Sequence, residues 1–396
     1  MFEKPQRPSK HRRTSILFLG LLLVTAVFVL CPEASEVMVA IADHGPGTEG
    51  RLFRKPLAPQ SDRWTTGPLL PKGRDVIMPD LAGGVLFERS YRGDRNGYAK
   101  DVGPFILARR VMDGQTTTIF RYEEATAAIQ KDGWTPTPGP RSYPFLDGPS
   151  LSPDLRWLAF IHARPEADAS DLWVCEMAHH QFTKISDGNR YDEMPAWSPD
   201  STRLAFYRTD SRVGHGWGTG ETTHPAYALW VWDRRTSQSR QVAPPGQYAY
   251  YGRRSLVWSP DGTKVLHQWA SDQSKEAAGL YLVDVNTGET RRLSQEAGPA
   301  EGPVTIYLFS PDGRRVLYGM RGHLFMVGSD GRGRVPVLAG RPFARAKWDT
   351  DESRIFVLEV RGDHCQWSSA RPDGSDLQPI VPPPGYRIVD VFTYME

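Results

Sequence analysis

Ser-Pro-Asp recurs through this chain of 396 residues, each time with a bulky apolar residue before it and a short apolar run after it. The copies are Leu151-Ser-Pro-Asp154, Trp197-Ser-Pro-Asp200, Trp258-Ser-Pro-Asp-Gly262 and Phe309-Ser-Pro-Asp-Gly313, with a worn copy at Trp348-Asp-Thr-Asp-Glu352 and a truncated one at Met78-Pro-Asp80. The runs that follow are Val85-Leu-Phe87, Leu158-Ala-Phe160, Leu204-Ala-Phe206, Val265-Leu266, Val316-Leu317 and Ile355-Phe-Val357. Self-similarity at intervals of roughly 40 to 75 residues is the mark of a propeller or a solenoid.

Each residue of the cassette suits a tight turn. Ser bonds the backbone, Pro presets φ, Asp suits the third position, and Gly accepts the positive φ that reverses the chain. The flanking apolar residues then fall on adjacent antiparallel strands facing one core. A second hairpin follows in each unit, through Leu172-Trp-Val174, Leu229-Trp-Val-Trp232, Leu280-Tyr-Leu-Val283 and Leu324-Phe-Met-Val327, ending in turn residues such as Asn286-Thr-Gly288 and Ser329-Asp-Gly331. Four short strands cannot bury both faces alone, so the units must pack radially. The reading is an all-β, six-bladed β-propeller over 63–396 with four-stranded antiparallel blades, blade one holding Val85-Leu-Phe87.

The Trp-Ser-Pro-Asp-Gly cassette, followed by Leu-Ala-Phe and a Leu-Tyr-Leu-Val-Asp strand, resembles the TolB-like β-propeller repeat. It also resembles the propeller of dipeptidyl peptidase IV and prolyl oligopeptidase relatives. The resemblance covers roughly 63–396. It implies fold far more than function, because such propellers serve as binding modules, enzyme gates and enzymes.

The net charge of +2 is unevenly placed. Lys4, Arg7, Lys10, Arg12 and Arg13 against Glu3 give +4 in the first 13 residues, leaving −2 elsewhere, too near neutral to suggest nucleic acid. Ser15 to Cys31 carries no charge and is rich in Leu, Val and Phe, approaching the length that spans a bilayer. Residues 14–31 therefore read as a single transmembrane signal-anchor, with the basic tail 1–13 inside and the propeller in the periplasm or extracellular space of a bacterial-type cell. A cleaved signal peptide and lipidation at Cys31 are the competing readings, and all three export the propeller. Residues 32–62 read mainly as linker, with a strand-like stretch at Val37–Ile41. Tyr386–Tyr394 alternates apolar and polar residues and is expected to close the ring by joining the first blade. Cys175 and Cys365 fall in different blades and read as two small core-facing residues.

The long insertions fall between the second and third strands and between blades, connections that open on one face. They are 122–147, with a possible helical turn at Glu123–Gln130 before Trp134; 208–226; and 246–254. Long loops on a rigid scaffold are where binding concentrates. The candidate binding residues are His215, Trp217, Glu221, His224, Tyr248, Tyr250, Tyr251, Arg253 and Arg254, an aromatic and arginine composition suited to a protein interface. The spacing of His215, Glu221 and His224 matches no zinc pattern, and Gly214–Gly220 lacks both the dinucleotide spacing and the Lys-Ser/Thr ending of a nucleotide loop, so no metal or cofactor is expected. Asp349-Thr-Asp351 reads as a degenerate turn rather than a calcium loop. His179 and His180 read as solvated at an outer turn, and the Arg-Gly-Asp triplets at Arg92 and Arg361 as chance.

No Gly-x-Ser-x-Gly elbow occurs in these residues. The leading reading is thus an exported, membrane-tethered module that binds an envelope protein or peptide, and not an enzyme. The alternative is a lyase- or cyclase-like or carbohydrate-binding propeller using the central funnel. His162 and His267, read at matching positions just past the second strand in blades two and four, would be its first suspects with Tyr251 and Arg253.

Overall fold

Period-two alternation over short segments, punctuated by Gly, Pro, Asn and Asp, produces strands, and 28 of them form among the described residues. The computed structural model describes residues 36–43, 50–56, 63–70, 74–79, 85–91, 105–111, 116–135, 145–164, 169–187, 190–209, 227–246, 256–269, 279–294, 304–320, 322–361 and 364–395.

The first set of strands is β1 (Glu36–Asp43), β2 (Gly50–Pro56) and β3 (Thr65–Leu70). The second is β4 (Arg74–Pro79), β5 (Val85–Tyr91), β6 (Phe105–Val111) and β7 (Thr116–Arg121), followed by α1 (Tyr122–Lys131). The third is β8 (Phe145–Leu151), β9 (Trp157–Arg164), β10 (Ala169–Glu176) and β11 (Gln181–Lys184). The fourth is β12 (Tyr191–Trp197), β13 (Arg203–Thr209), β14 (Tyr227–Asp233) and β15 (Gln238–Gly246). The fifth is β16 (Val257–Trp258), β17 (Lys264–Trp269), β18 (Gly279–Asp284) and β19 (Thr290–Arg292). The sixth is β20 (Val304–Phe309), β21 (Arg315–Met320), β22 (His323–Gly328) and β23 (Val335–Val337). The seventh is β24 (Phe343–Trp348), β25 (Ile355–Arg361), β26 (His364–Ala370) and β27 (Gln378–Pro379). Last comes β28 (Arg387–Met395).

Within each set, consecutive strands pair antiparallel. The third and fourth sets are joined into one eight-stranded sheet by a single parallel pairing of Ser170 with Tyr191. β28 runs antiparallel to β1, with Val39 opposite Phe392, and completes the first set in the order β28-β1-β2-β3.

Two expectations are corrected here. The stretch 32–62 carries β1 and β2 and is not simply linker. The C-terminal strand joins β1 and not the set that contains Val85, which holds four strands of its own. The six units read from the sequence occupy β4–β27, and the chain's two ends supply a seventh four-stranded set. It escaped the repeat count because its first strand and its other three lie at opposite ends of the chain, with no Ser-Pro-Asp turn between them.

The turns behave as their residues dictate. Ser152, Ser198, Ser259 and Ser310 each donate from Oγ to the Asp two residues on, at 2.5 to 2.6 Å. Each Oγ also accepts the N–H five residues on, at 2.9 to 3.0 Å. The fourth position has positive φ in every copy, occupied by Gly262 and Gly313 but also by Leu155, Ser201 and, in the worn copy, Glu352. Asp349 and its neighbours thus form the degenerate turn that was expected. The fourth residue also meets the preceding turn. Ser201 accepts from the N–H of Asp154, Gly262 offers its carbonyl to Arg203, and Glu352 accepts from the N–H of Asp312 and from Arg315.

Side chains on the two faces of each second strand go to different neighbours. Leu158 and Phe160 join Phe120 of the second set, whereas Ala159 and Ile161 join Trp197, Leu204 and Phe206 of the fourth. The same division places Val265 with the fourth set and Leu266 with the sixth, then Leu317 with the seventh. Phe356 and Trp367 pack with Val391 of β28. Among the described residues, apolar cores therefore sit between successive sets from the second to the seventh and between the seventh and β28, so the third to seventh sheets bury both faces. First strands neighbour first strands, β4 against β8, β8 against β12, and on to β20 against β24. Lys347 of β24 donates to the carbonyl of Val391 at 2.7 Å.

The helix fills the connection from β7 to β8. Glu123 and Glu124 in its first turn and Lys131 in its last complement the dipole. Ala125 and Ile129 are buried against Phe120 and Phe160. The candidate anchor 14–31 and the tail 1–13 lie outside the described residues. Among the described residues, no helix is long and apolar enough to cross a membrane. Cys175 is buried in the core beside Phe160, as expected, but Cys365 is exposed, because it stands at the very start of β26.

Candidate binding face

The connections from second to third strands and those between sets leave the sheets at the end opposite the Ser-Pro-Asp turns. Long segments here follow β13 and β15, and every candidate residue named from the sequence falls in them. His215, Trp217, Glu221, His224, Tyr248, Tyr250, Tyr251, Arg253 and Arg254 lie outside the described residues. What is described is the base from which those segments spring, and it is built of buried charge.

Ten residues after the cassette serine, three second strands place a polar side chain where apolar residues would be expected: His162 on β9, Arg208 on β13 and Glu359 on β25 (counted from Asp349 in the worn copy). His267 on β17 falls eight residues after its serine and is not equivalent to His162. It takes the place held by Phe160, Phe206 and Tyr318 in the other sets. The expected match between the two histidines is corrected accordingly.

On the third set, Asp171 is 2% exposed and accepts from both Arg164 (2.9 and 3.0 Å) and Lys184 (3.2 Å). Lys184 also reaches Asp132, just after α1, at 2.8 Å. Burial pushes the Asp171 carboxyl above its usual range, against the pull of the two cations. Burial alone would lower the Lys184 ammonium, but its bonds to Asp132 and Asp171 outweigh that and raise it. His162 lies beneath this group, 4.0 Å from Asp171, with the Trp134 ring edge-on at 5.9 Å. Both its ring nitrogens are buried without a hydrogen-bond partner, and burial, with Arg164 and Lys184 adding to it, lowers its pKa to about 4. His267 is equally sealed, between Tyr207 and Tyr281, and burial lowers it to about 4 as well. Neither has the hydrogen-bond partners of an ordinary structural histidine. Both are neutral near pH 7.

Within the fourth set, Arg208 on β13 grips Asp192 on β12 with a two-pronged contact at 2.7 and 2.8 Å, both residues being buried. Its remaining terminal nitrogen reaches Asp187 at 3.0 Å, and its plane lies over Trp230 and Phe206 at about 5 Å, within cation–π range. Ser170 donates to the Asp192 carbonyl and accepts from its N–H, and Ser186 donates to its carboxylate. Through Ser170 and Ser186 this clasp ties β12 to the third set, beside the Ser170–Tyr191 pairing. The long segment 210–226 begins two residues after Arg208.

At the seventh set, Glu359 is 3% exposed and accepts from Ser368, Arg341 and Arg361. Burial would raise its carboxyl, but these three bonds hold it below the usual range. His179 and His180 sit exposed in the β10–β11 turn, as expected, each bonded to a glutamate, Glu176 at 3.1 Å and Glu124 at 2.6 Å.

The sequence reading missed Asp171, Lys184, Arg208, Asp192 and Glu359. Counting ten places from each cassette serine is the signal that would have found Arg208 and Glu359. The others come from different strands and carry no local pattern.

No family model matches the chain. The uncharacterized peptidase YuxL of Bacillus subtilis (strain 168) is 28% identical over 123 residues, which is 31% of this chain and 16% of that protein. Among solved structures, TolB from Acinetobacter baumannii is similar with 13% identity and a TM-score of 0.44, over 91% of this chain and 82% of that one. The likeness is to TolB-like β-propellers. The β-propeller domain of the trilobed protease from Pyrococcus furiosus is another, with 12% identity and a TM-score of 0.47, over 78% of this chain and 86% of that domain. These similarities assign no residue a role and bring no activity to this chain.

Proposed function

We propose that this chain is a seven-bladed TolB-like propeller that binds an envelope protein or peptide through the face bearing segments 210–226 and 247–255. In this reading residues 14–31 tether it to the cell membrane, with residues 1–13 inside and the propeller in the periplasm or extracellular space. One observation carries the proposal. Both segments leave the fourth set, 210–226 after β13 and 247–255 after β15, the second with three tyrosines and two arginines, and Arg208, two residues before the first, is locked onto Asp192. A rigid, charge-locked base beneath long segments is how a scaffold presents a recognition surface.

The funnel-enzyme reading draws support from two histidines held neutral near pH 7 in buried sites, a state associated with proton transfer. Against it, each is 1% exposed and so offers no nitrogen to a substrate. The binding reading is the better supported.

The test is a pull-down from solubilised envelope with the full chain, beside a variant carrying Trp217→Ala and Arg253→Ala. A protein kept by the wild type and lost by an equally folded variant supports the reading. Retention by both moves the surface elsewhere, and retention by neither turns the search to glycans and small molecules. A fragment starting at residue 63 is unsuitable, because it lacks β1 and β2.

A further inference from the structure

Glu359 gathers more positive charge than its own burial requires. The carboxylate stands on β25 at the loop-bearing end, with Ser368 of β26 donating from one side. Arg341, in the link between the sixth and seventh sets, reaches Oε2 at 2.9 Å, and Arg361, at the end of β25, reaches both oxygens at 3.1 Å. The other two charged groups at this end are balanced or acidic. Arg164 and Lys184 face Asp171 and Asp132, and Arg208 faces Asp192 and Asp187. Here two guanidinium groups share one carboxylate, so among the described residues this group carries one positive charge in excess.

The two arginines are also open. Arg341 is 51% and Arg361 49% exposed, whereas the glutamate between them is sealed. A buried acceptor that fixes two half-exposed guanidinium forks removes the rotamer freedom that normally weakens a surface arginine site. Guanidinium forks match planar, two-oxygen anions, and a carboxylate fits that geometry.

We propose that Arg341 and Arg361, held by Glu359, form a clamp for a side-chain carboxylate of an acidic peptide segment in the partner. The inference rests on the binding-module reading and names the chemistry that the partner presents. Glu359 is a positioning residue, and the arginines make the contact.

The experiment is fluorescence anisotropy of the full chain with a labelled, C-terminally amidated deca-glutamate peptide. The wild type is expected to bind, and the triple variant Arg341→Gln, Glu359→Gln, Arg361→Gln to bind at least about tenfold more weakly. Replacing all three avoids leaving Glu359 buried and unpaired, and a matching melting curve checks the fold. Arg341→Lys keeps the charge without the fork and is expected to lie between. Arg314→Gln, at the opposite end and 87% exposed, is expected to change nothing. No binding by the wild type, an unaffected triple variant, or an equal loss from Arg314→Gln overturns the clamp. Inorganic phosphate displacing the peptide at lower concentration than free glutamate overturns the carboxylate assignment. Deca-glutamate binding with an empty pull-down leaves the clamp standing and removes the binding-module reading. A pull-down partner that the triple variant keeps does the reverse.

Discussion

The backbone N–H of Asp154 donates to Oγ of Ser201 at 3.0 Å, so the fourth residue of one Ser-Pro-Asp turn anchors the turn before it. Ser201 is 1% exposed and holds φ at 58° to make the contact. Ser201→Ala keeps the strained backbone and loses the acceptor, at an expected cost of about 1–2 kcal/mol. Urea unfolding measures it, and an alanine variant as stable as wild type would sink the argument.

Ser237 occupies, in the turn between β14 and β15, the place that Gly288 holds between β18 and β19. Their φ values are 55° and 79°. The serine is exposed, so a glycine there loses no packing. Ser237→Gly is expected to stabilise the chain by about 0.5 kcal/mol, the relief of left-handed strain less the added freedom of the unfolded glycine. A lower unfolding midpoint would count against it.

His267 should make the fold acid-sensitive. Its pKa is about 4 when folded and near 6.5 when unfolded, so above pH 6.5 both states are neutral and nothing is lost. As pH falls from 6.5 to 4 the unfolded state takes up the proton first, and stability declines by roughly 3 kcal/mol in all. His162 is less clean, because the raised carboxyl of Asp171 beside it works in the opposite sense. His267→Phe, which copies Phe160 and Phe206, is expected to flatten the slope and to raise stability at pH 7 by removing two unpartnered nitrogens. Denaturant midpoints from pH 4.5 to 7.5 check both.

Removing Arg208 leaves Asp192 buried and unpaired. Arg208→Met is expected to cost about 3–5 kcal/mol, and adding Asp192→Asn to recover a large part of that. If the double variant is no better than the single, the cost does not come from a buried carboxylate left without its cation.

Deleting 385–396 removes the neighbour of β1, and deleting 36–56 strands β28. Either truncation is expected to abolish a single cooperative melt. A calorimetric scan decides, and an unchanged transition in either would show that the first set is dispensable.

The strands were legible because Ser-Pro-Asp fixes each turn by its own bonds, and the alternating runs beside it have only one core to face. The count was not, because pairing between β1 and β28 is a relation between residues as far apart as Val39 and Phe392. The end of the sheets from which the long insertions leave was legible from their places between strands. Its charged base was not, because Asp171, Lys184 and Asp132 are each an ordinary polar residue in the sequence and become a group only through the pairing of β10 with β11 and the return of α1.

β1 has β2 on one side and β28 on the other, so its pairing on that second side depends wholly on β28. Without β28, β1 presents a bare strand edge, and such edges recruit other chains. Copies that lose β28 are therefore expected to aggregate or be cleared rather than persist.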